Sequence, residues 1–534
     1  MTDIQSLLNK QDFIELSARE RAKALLDEGT FRELLDPFAR VMSPWLVKQN
    51  IVPQADDGVV IAKGTIEERP VVLISIEGLF QGGSLGEVGG AKIAGALELA
   101  VEDNLKGIPT AAILLLETGG VRLQEANLGL AAIAEIQAAI VNLRQYQPVV
   151  AVVAGSVGCF GGMSIAAGLC SYIVMTQEGR LGLNGPQVIE QEAGVQEYDA
   201  KDRPFIWSIT GGNQRFASGL ADAYVDDDRQ KIRQQVIDYL AQGVPNQHRS
   251  SNYSFYLAQL QQVDTAEKAS TRGAHWFKAL TKGFNTVEGF PASVWVADGQ
   301  IDQQAVRVIA VVQDSNNLFP RARQGEVGLL EGWSLAKAVD DVIQADVHSE
   351  TKRGILCLVD VPSQAYGRRE ELLGIHQALA GAVDSYARAR LAGHPIVSLL
   401  VGKSMSGAFL AHGYQANRII ALKDSGVMVH AMGKESAARV TQRSVDELEQ
   451  LAASIPPMAY DIESYATLGL LSELLSVENP EQPTNADLSL AKQVVAQAFK
   501  EINAEQSRGL EQRLHGQNRQ MSKKVRELLR DQWS

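Results

Sequence analysis

Cysteine is scarce in this chain: 534 residues hold three, Cys159, Cys170 and Cys357, with no CxxC pair. That excludes a disulfide framework and a zinc site of ordinary spacing, and it fits a reducing cytoplasm. Basic charge is short as well. Fifty Lys and Arg face 63 Asp and Glu, a net charge of −13, so no overall basic face exists for nucleic acid. The opening segment, MTDIQSLLNKQDFIEL, is polar and charged throughout and carries no secretory signal. HExxH, GxGxxG, acidic calcium loops and Met-Lys-Met are all missing. Gly402-Lys403-Ser404 resembles the end of a P-loop, yet Val397 stands where its first glycine belongs. The chain is expected to carry no metal and no covalent cofactor of its own.

Charge is absent altogether from Pro148 to Gln177, a stretch long enough to cross a membrane. Its composition points elsewhere. The β-branched run VVAVV favours a strand, glycines follow at 155, 158, 161 and 162, and SYIVM forms a second strand. No Lys/Arg cluster or aromatic belt flanks it. The expectation is a buried strand–turn–helix–strand in a soluble, cytoplasmic protein.

What the sequence does contain is a repeat. GEVG occurs at Gly86–Gly89 and again at Gly325–Gly328, each time opening a helical pattern. An apolar strand follows and stops on an acid, AAILLLE at Glu117 and GILCLVD at Asp360. A long helix comes next, then a strand behind a proline, Pro148-VVAVV and Pro395-IVSLL. Both strands run into a small-residue turn, GSVGCFGG and GKSMSGA, and then into another strand. Five elements in one order imply an α/β protein built from a duplicated unit of βαβ crossovers. The expected layout is a helical N-terminal segment over 1–50, stopped at Pro37 and Pro44, and a first domain over 51–240. A polar helical linker over 241–285, a second domain over 286–476 and a charged helical tail over 477–534 follow.

The turns suggest chemistry. Backbone N–H groups where a strand gives way to a helix attract an oxyanion, and glycine lets a carbonyl oxygen approach closely. Thr118-Gly119-Gly120 and Gly158–Gly162 are the turns of the first half; Val361-Pro362-Ser363 and Ser404–Gly407 are those of the second. The same residues would equally serve tight packing alone. Cys159 has no neighbour that would activate it and reads as packing.

In combination, GGSLGEVGGAKI, ETGGVRLQE, VGCFGG, LGLNGPQVIE and GLADAYVDD resemble the N-terminal carboxyltransferase domain of biotin-dependent carboxylases, a crotonase-type fold. DVPSQAYGRREELLG and GKSMSGAFLAHG resemble its C-terminal partner. A short loop after DVP, the Ser406-Gly407 pair and VMVHAMGKESAARV resemble biotin-independent malonate decarboxylase, its β and γ subunits here joined. The resemblance implies decarboxylation of a malonyl thioester held on a separate (delta) acyl carrier protein. The carrier would bear a phosphoribosyl-dephospho-coenzyme A group and be loaded by an alpha subunit, the acyl carrier protein transferase. It implies oxyanion donors at Gly119, Gly120, Gly161, Gly162, Ser406 and Gly407. Arg122 matches the family arginine, either contacting substrate or pairing with Glu117 or Glu125; Tyr366 and Ser404 lie near the expected cleft.

A proton must then reach the enolate. His430, Tyr366, Ser404, His412 and water are the candidates, and a histidine titrating near neutrality suits the task. An acidic carrier would need a local basic patch, for which Arg321/Arg323, Lys352/Arg353, Arg368/Arg369 and the tail offer themselves, in a chain expected to form a homo-oligomer. Three rivals stand beside this expectation: a biotin-dependent carboxyltransferase subunit, a serine acyl hydrolase using Ser404 with His412 or His430, and a non-catalytic scaffold.

Overall fold

The structure is a computed structural model and describes residues 11–260, 271–505 and 507–534. Parts of the expected N-terminal segment and of the linker lie outside the described residues. Within them the chain divides into two compact units. One comprises Met1–Arg122, Ala139–His248 and Met521–Ser534; the other comprises Leu123–Ala138 and Arg249–Gln520.

The first unit holds a seven-stranded sheet of β1 (Arg32–Leu34), β2 (Val59–Ile66), β3 (Arg69–Ile76), β4 (Ala111–Leu115), β5 (Val149–Val153), β6 (Tyr172–Met175) and β7 (Ala223–Tyr224), in that spatial order. The first three strands pair antiparallel and the rest parallel. Between β2 and β3 the chain turns through Glu67 and Glu68, at φ 48° and 63°, the left-handed pair that a two-residue hairpin needs. Asp27 offsets that cost by accepting from both amides, at 3.1 and 3.0 Å. Leu73, Ile113, Leu115, Val150, Val152 and Val174 form a core with Ala22, Leu25, Ile232 and Val236 from helices Ala18–Leu25 and Arg229–Gln242. Each such buried aliphatic contributes roughly 1.5–3 kcal/mol. The uncharged run from Pro148 becomes β5, a turn, helix Gly162–Leu169 and β6, as its composition suggests. The apolar helical stretch Leu123–Leu143 is long enough to cross a membrane, but 89% of its most apolar window is buried in the protein.

The second unit repeats the plan. Its strands are β8 (Asn285–Thr286), β9 (Val294–Ile301), β10 (Gln304–Val311), β11 (Gly354–Val361), β12 (Ile396–Met405), β13 (Arg418–Leu422), β14 (Met428–His430) and β15 (Glu473–Leu475). They lie in the order β15-β13-β12-β11-β10-β9-β8, with β14 also on β12. The antiparallel β9–β10 ribbon again feeds parallel strands. The α/β duplication expected from GEVG is therefore present in the topology.

Two local expectations change. Pro37 and Pro44 do not stop helices; each sits at the first position of a short one, capped by Asp36 and Ser43. Proline has no N–H to lose there, and its fixed φ suits the start. The tail is helical, but helix Gln520–Gln532 is not a free charged face. Its Ser522 donates twice to Glu87 at 2.9 Å, and Arg526 and Arg530 fork onto Glu98 and Glu102 of helix Glu87–Leu105.

The repeated helix also shows how one position tolerates opposite charges. Lys92 is fully buried and donates to the carbonyl oxygens of Leu35 (3.2 Å), Asp56 (3.0 Å) and Val59, and burial pulls its pKa down to about 8. Glu331, at the matching step of the second GEVG, accepts from Ser293 (2.5 Å), Asn317 (2.7 Å) and the Gly328 amide (3.0 Å), while burial raises its pKa.

Candidate active site

In each unit the turns singled out by sequence gather at the C-terminal ends of neighbouring parallel strands, where open α/β sheets place their ligands. In the first unit, β4 leads to Glu117 and then to Thr118-Gly119-Gly120, and β5 leads to Gly158–Gly162. The two turns pack backbone to backbone. Thr118 and Cys159 form a parallel bridge, and a Cβ added to Gly120 would lie 3.0 Å from the Gly161 Cα. Three of the expected donors are spent inside the protein. Gly119 donates to Gly82 O (2.9 Å), Gly120 to Thr118 Oγ1 (3.0 Å) and Gly161 to Leu183 O (2.8 Å). Close packing thus accounts for Gly120 and Gly161 in this conformation.

Arg122 is buried. Its guanidinium pairs with Asp57 at 2.7 Å with neither side chain exposed, and it donates to Ser84 O at 3.0 Å. Glu117, one of its two expected partners, pairs elsewhere. Glu117 takes Arg21 of helix Ala18–Leu25 and the Val157 amide (3.2 Å). This carboxylate fills space left by glycine: a Cβ on Gly155 would sit 2.1 Å from Glu117 Cδ.

The second unit builds the same corner. Asp360, at the end of β11, accepts from the amides of Gly273 (2.9 Å) and Lys403 (3.1 Å), and a Cβ on Gly402 would meet its Oδ1 at 2.1 Å. Sequence reasoning saw these acids only as strand ends. The signal was their recurrence at the same step of the repeat. Beyond Gly402, β12 runs through the fully buried Ser404 to Ser406, which adopts φ +57°, matching Gly161 at +60°. A left-handed serine is strained and marks a turn held by its surroundings. Gly407 N–H donates to the Gln364 side-chain oxygen at 3.1 Å. Half-buried Tyr366 lies on the same loop after β11. Gln364 was not foreseen; nothing in its own sequence neighbourhood marks it.

His430 lies on β14, in register with Met405. Its ring is buried and stacks 3.8 Å from Tyr460, and Nδ1 accepts from Met432 N–H at 3.1 Å. Burial pulls its pKa down to about 4, against hydrogen bonds to Met432 and Met458. Burial thus favours its neutral form, against the near-neutral titration expected of a general acid. His412 is also held down to about 4 by burial, its nitrogens engaged by Tyr386 Oη (3.0 Å) and Leu358 O (3.0 Å). Ser404 Oγ is buried with no hydrogen-bond partner, so neither His412 nor His430 pairs with it, which counts against the serine hydrolase rival. The three cysteines are free and buried, and burial pushes the thiols of Cys159 and Cys357 up, the latter to about 12.

Several basic candidates are engaged. Arg353 pairs with Asp298 (3.1 Å) and Asp346 (3.3 Å), Lys352 donates to Asp346 O (2.6 Å), and Arg323 donates to Asn317 O (3.1 Å). Arg368 and Arg369 stay exposed.

Comparison with known proteins follows the same lines. Residues 322–533 match the family model MdcE, malonate decarboxylase gamma subunit. The chain is 41% identical over 237 residues to the malonyl-S-ACP:biotin-protein carboxyltransferase MADC of Malonomonas rubra, covering 42% of this chain and 74% of that one. It is 36% identical over 206 residues to MADD of the same organism, covering 37% and 70%. A crystal structure of a Pseudomonas malonate decarboxylase hetero-tetramer in complex with malonate is 70% identical, covering 50% of this chain and 96% of that chain, with a TM-score of 0.48.

Proposed function

This chain belongs to the family of malonyl-thioester carboxyltransferase subunits of malonate decarboxylases, and on that premise we propose that it decarboxylates a malonyl thioester to the acetyl thioester. Losing CO2 leaves an enolate whose charge rests on the thioester oxygen. Fixed backbone donors stabilise that charge, and losing one donor in a comparable site costs about 10²–10³ in rate.

One observation carries the reading: the Gly407 amide, just past the strained Ser406, is held by a side-chain carbonyl rather than by the backbone. A thioester oxygen is chemically the same kind of acceptor and would take that place once Gln364 moved aside. Ser406 and Gly407 therefore form the proposed oxyanion turn. Gly119, Gly120, Gly161 and Gly162 shape the second one, where backbone partners would have to yield to substrate. Tyr366 and Ser404 would face the acyl group, and the positioning of this corner falls to His430.

The thioester would be carried by a separate acyl carrier protein (delta) with a phosphoribosyl-dephospho-coenzyme A arm, loaded by an alpha subunit, in a cytoplasmic assembly with more than one copy of this chain. The test is CO2 release from malonyl-carrier and from malonyl-coenzyme A by the purified chain without biotin. Release unaffected by avidin is the expected result. The activity for which both Malonomonas rubra relatives are named favours a second reading, transfer of the carboxyl group to a biotin protein. Turnover that requires a biotinyl protein and stops with avidin would establish it instead.

A further inference from the structure

The two copies of the fold differ at one buried step beside their turns. Gly161 and Ser406 hold the same left-handed conformation, φ +60° and +57°. Six residues further on, the first copy has Ala167 inside helix Gly162–Leu169, and the second has His412 at the end of helix Ser406–Ala411. Both positions are fully buried. A small apolar side chain therefore satisfies the fold at this step, and burying a polar ring there needs another reason.

Both ring nitrogens are engaged. Nε2 lies 3.0 Å from Leu358 O on β11, and Nδ1 lies 3.0 Å from Tyr386 Oη on helix Ile375–Leu391. A carbonyl only accepts, so Nε2 carries the proton. Burial favours the neutral ring, which has a single N–H, so Nδ1 accepts from the Tyr386 hydroxyl. Tautomer and ring orientation are thereby fixed. The main chain is tied down as well. The His412 amide donates to Ala408 O (2.9 Å), and Ser398 Oγ of β12 donates to Gly413 O (2.7 Å). Gly413, at φ +121°, has no room for a side chain, since a Cβ would meet Val359 Cγ2 at 2.8 Å.

These bonds bear on the turn because the helix is short. Five residues separate Gly407 from His412, about 7.5 Å along the axis. A shift of the ring is carried to the Gly407 amide over that distance. Ser406 supplies the need for an anchor. A side chain at positive φ is strained and persists only where its surroundings over-determine it. Gly161 takes the same φ without strain, and Ala167 offers no polar anchor.

We propose that His412 is a positioning residue, anchoring the end of helix Ser406–Ala411 to β11 and to helix Ile375–Leu391 and so holding the strained Ser406–Gly407 turn in place. The proposal rests on the decarboxylase reading for the task of that turn.

His412→Leu removes both bonds and keeps an apolar side chain of similar bulk. It is expected to lower kcat by roughly thirtyfold or more with KM for the malonyl thioester little changed, since a misplacement of about 1 Å costs about 10² in rate. His412→Gln retains a donor and an acceptor and should keep kcat within about fivefold of the wild type. Ser406→Gly removes the strain and should recover most of the kcat lost in His412→Leu. Amide hydrogen exchange of the full chain, read by mass spectrometry over 406–412, should be faster in His412→Leu and slower again once Ser406→Gly is added. Tyr386→Phe breaks one of the two bonds without opening a cavity and should lower kcat to an intermediate value; it decides the matter if His412→Leu does not fold. Wild-type kcat in His412→Leu or Tyr386→Phe, equal losses in the Leu and Gln variants, or no recovery with Ser406→Gly would overturn the proposal. Exchange is read without turnover, so the two failures separate. A wild type that releases no CO2, in a chain whose turn still loosens with His412→Leu and tightens with Ser406→Gly, refutes the decarboxylase reading alone.

Discussion

Arg122 and Asp57 form an ion pair at 2.7 Å in which neither side chain is exposed. The Gly89 amide takes the other Asp57 oxygen at 2.7 Å, so the pair binds the approach to β2, helix Glu87–Leu105 and the turn after β4 into one unit. Arg122→Met would strand a buried carboxylate, which costs about 3–5 kcal/mol. Urea unfolding should show that loss. A native midpoint with a raised KM would instead restore Arg122 to substrate binding.

Gly155 and Gly402 make room for Glu117 and Asp360 in the two copies of the fold. Gly155→Ala and Gly402→Ala each place a Cβ 2.1 Å from a carboxylate atom. Forced repacking of this kind costs roughly 1–3 kcal/mol. Both variants should lower the melting temperature, and a neutral result at either would show that its acid is free to move aside.

Ser406 carries φ +57° without glycine's freedom. A side chain in that region costs roughly 1–2 kcal/mol. Ser406→Gly is therefore expected to stabilise the protein by about that amount in chemical denaturation, and Ser406→Val to destabilise it and slow turnover. Equal stability for all three would mean that the turn relaxes.

Gln364→Ala removes the acceptor that holds the Gly407 amide. If substrate replaces that acceptor, KM for the malonyl thioester should fall while kcat changes less than tenfold. A rise in KM would make Gln364 a substrate contact rather than a placeholder.

Burial holds the pKa of His412 and of His430 down to about 4 in the folded protein, against an ordinary value of about 6.5. The unfolded chain then binds more protons between these values. Stability from their neutral forms is complete above pH 6.5 and is lost as pH falls through 4, on the order of 3 kcal/mol for each. His412→Asn should flatten that acid limb in pH-dependent unfolding. His430→Gln should leave the pH–rate profile unshifted and cut turnover less than tenfold; a hundredfold loss at native stability would return the proton-donor role to His430.

Strands and repeat were legible because their code is local. The β-branched run of β5, the glycines behind it and the two GEVG helix starts each need only neighbouring residues. Pro37 and Pro44 were legible as boundaries, though not as helix starts, since proline terminates one helix and opens the next with the same ring. Arg122 was legible as a charged residue near a glycine pair, but its partner Asp57 stands 65 residues earlier in the chain.

Sequence by itself determined that two copies of one α/β unit follow each other and that small-residue turns close their parallel strands. Tertiary structure alone decided which groups remain for chemistry. Burial neutralised His430 and His412, carbonyls from distant loops occupied the amides of Gly119 and Gly161, and Gln364 reached the amide of Gly407. A hydrogen bond's partner is chosen by packing in space, and spacing along the chain does not encode it.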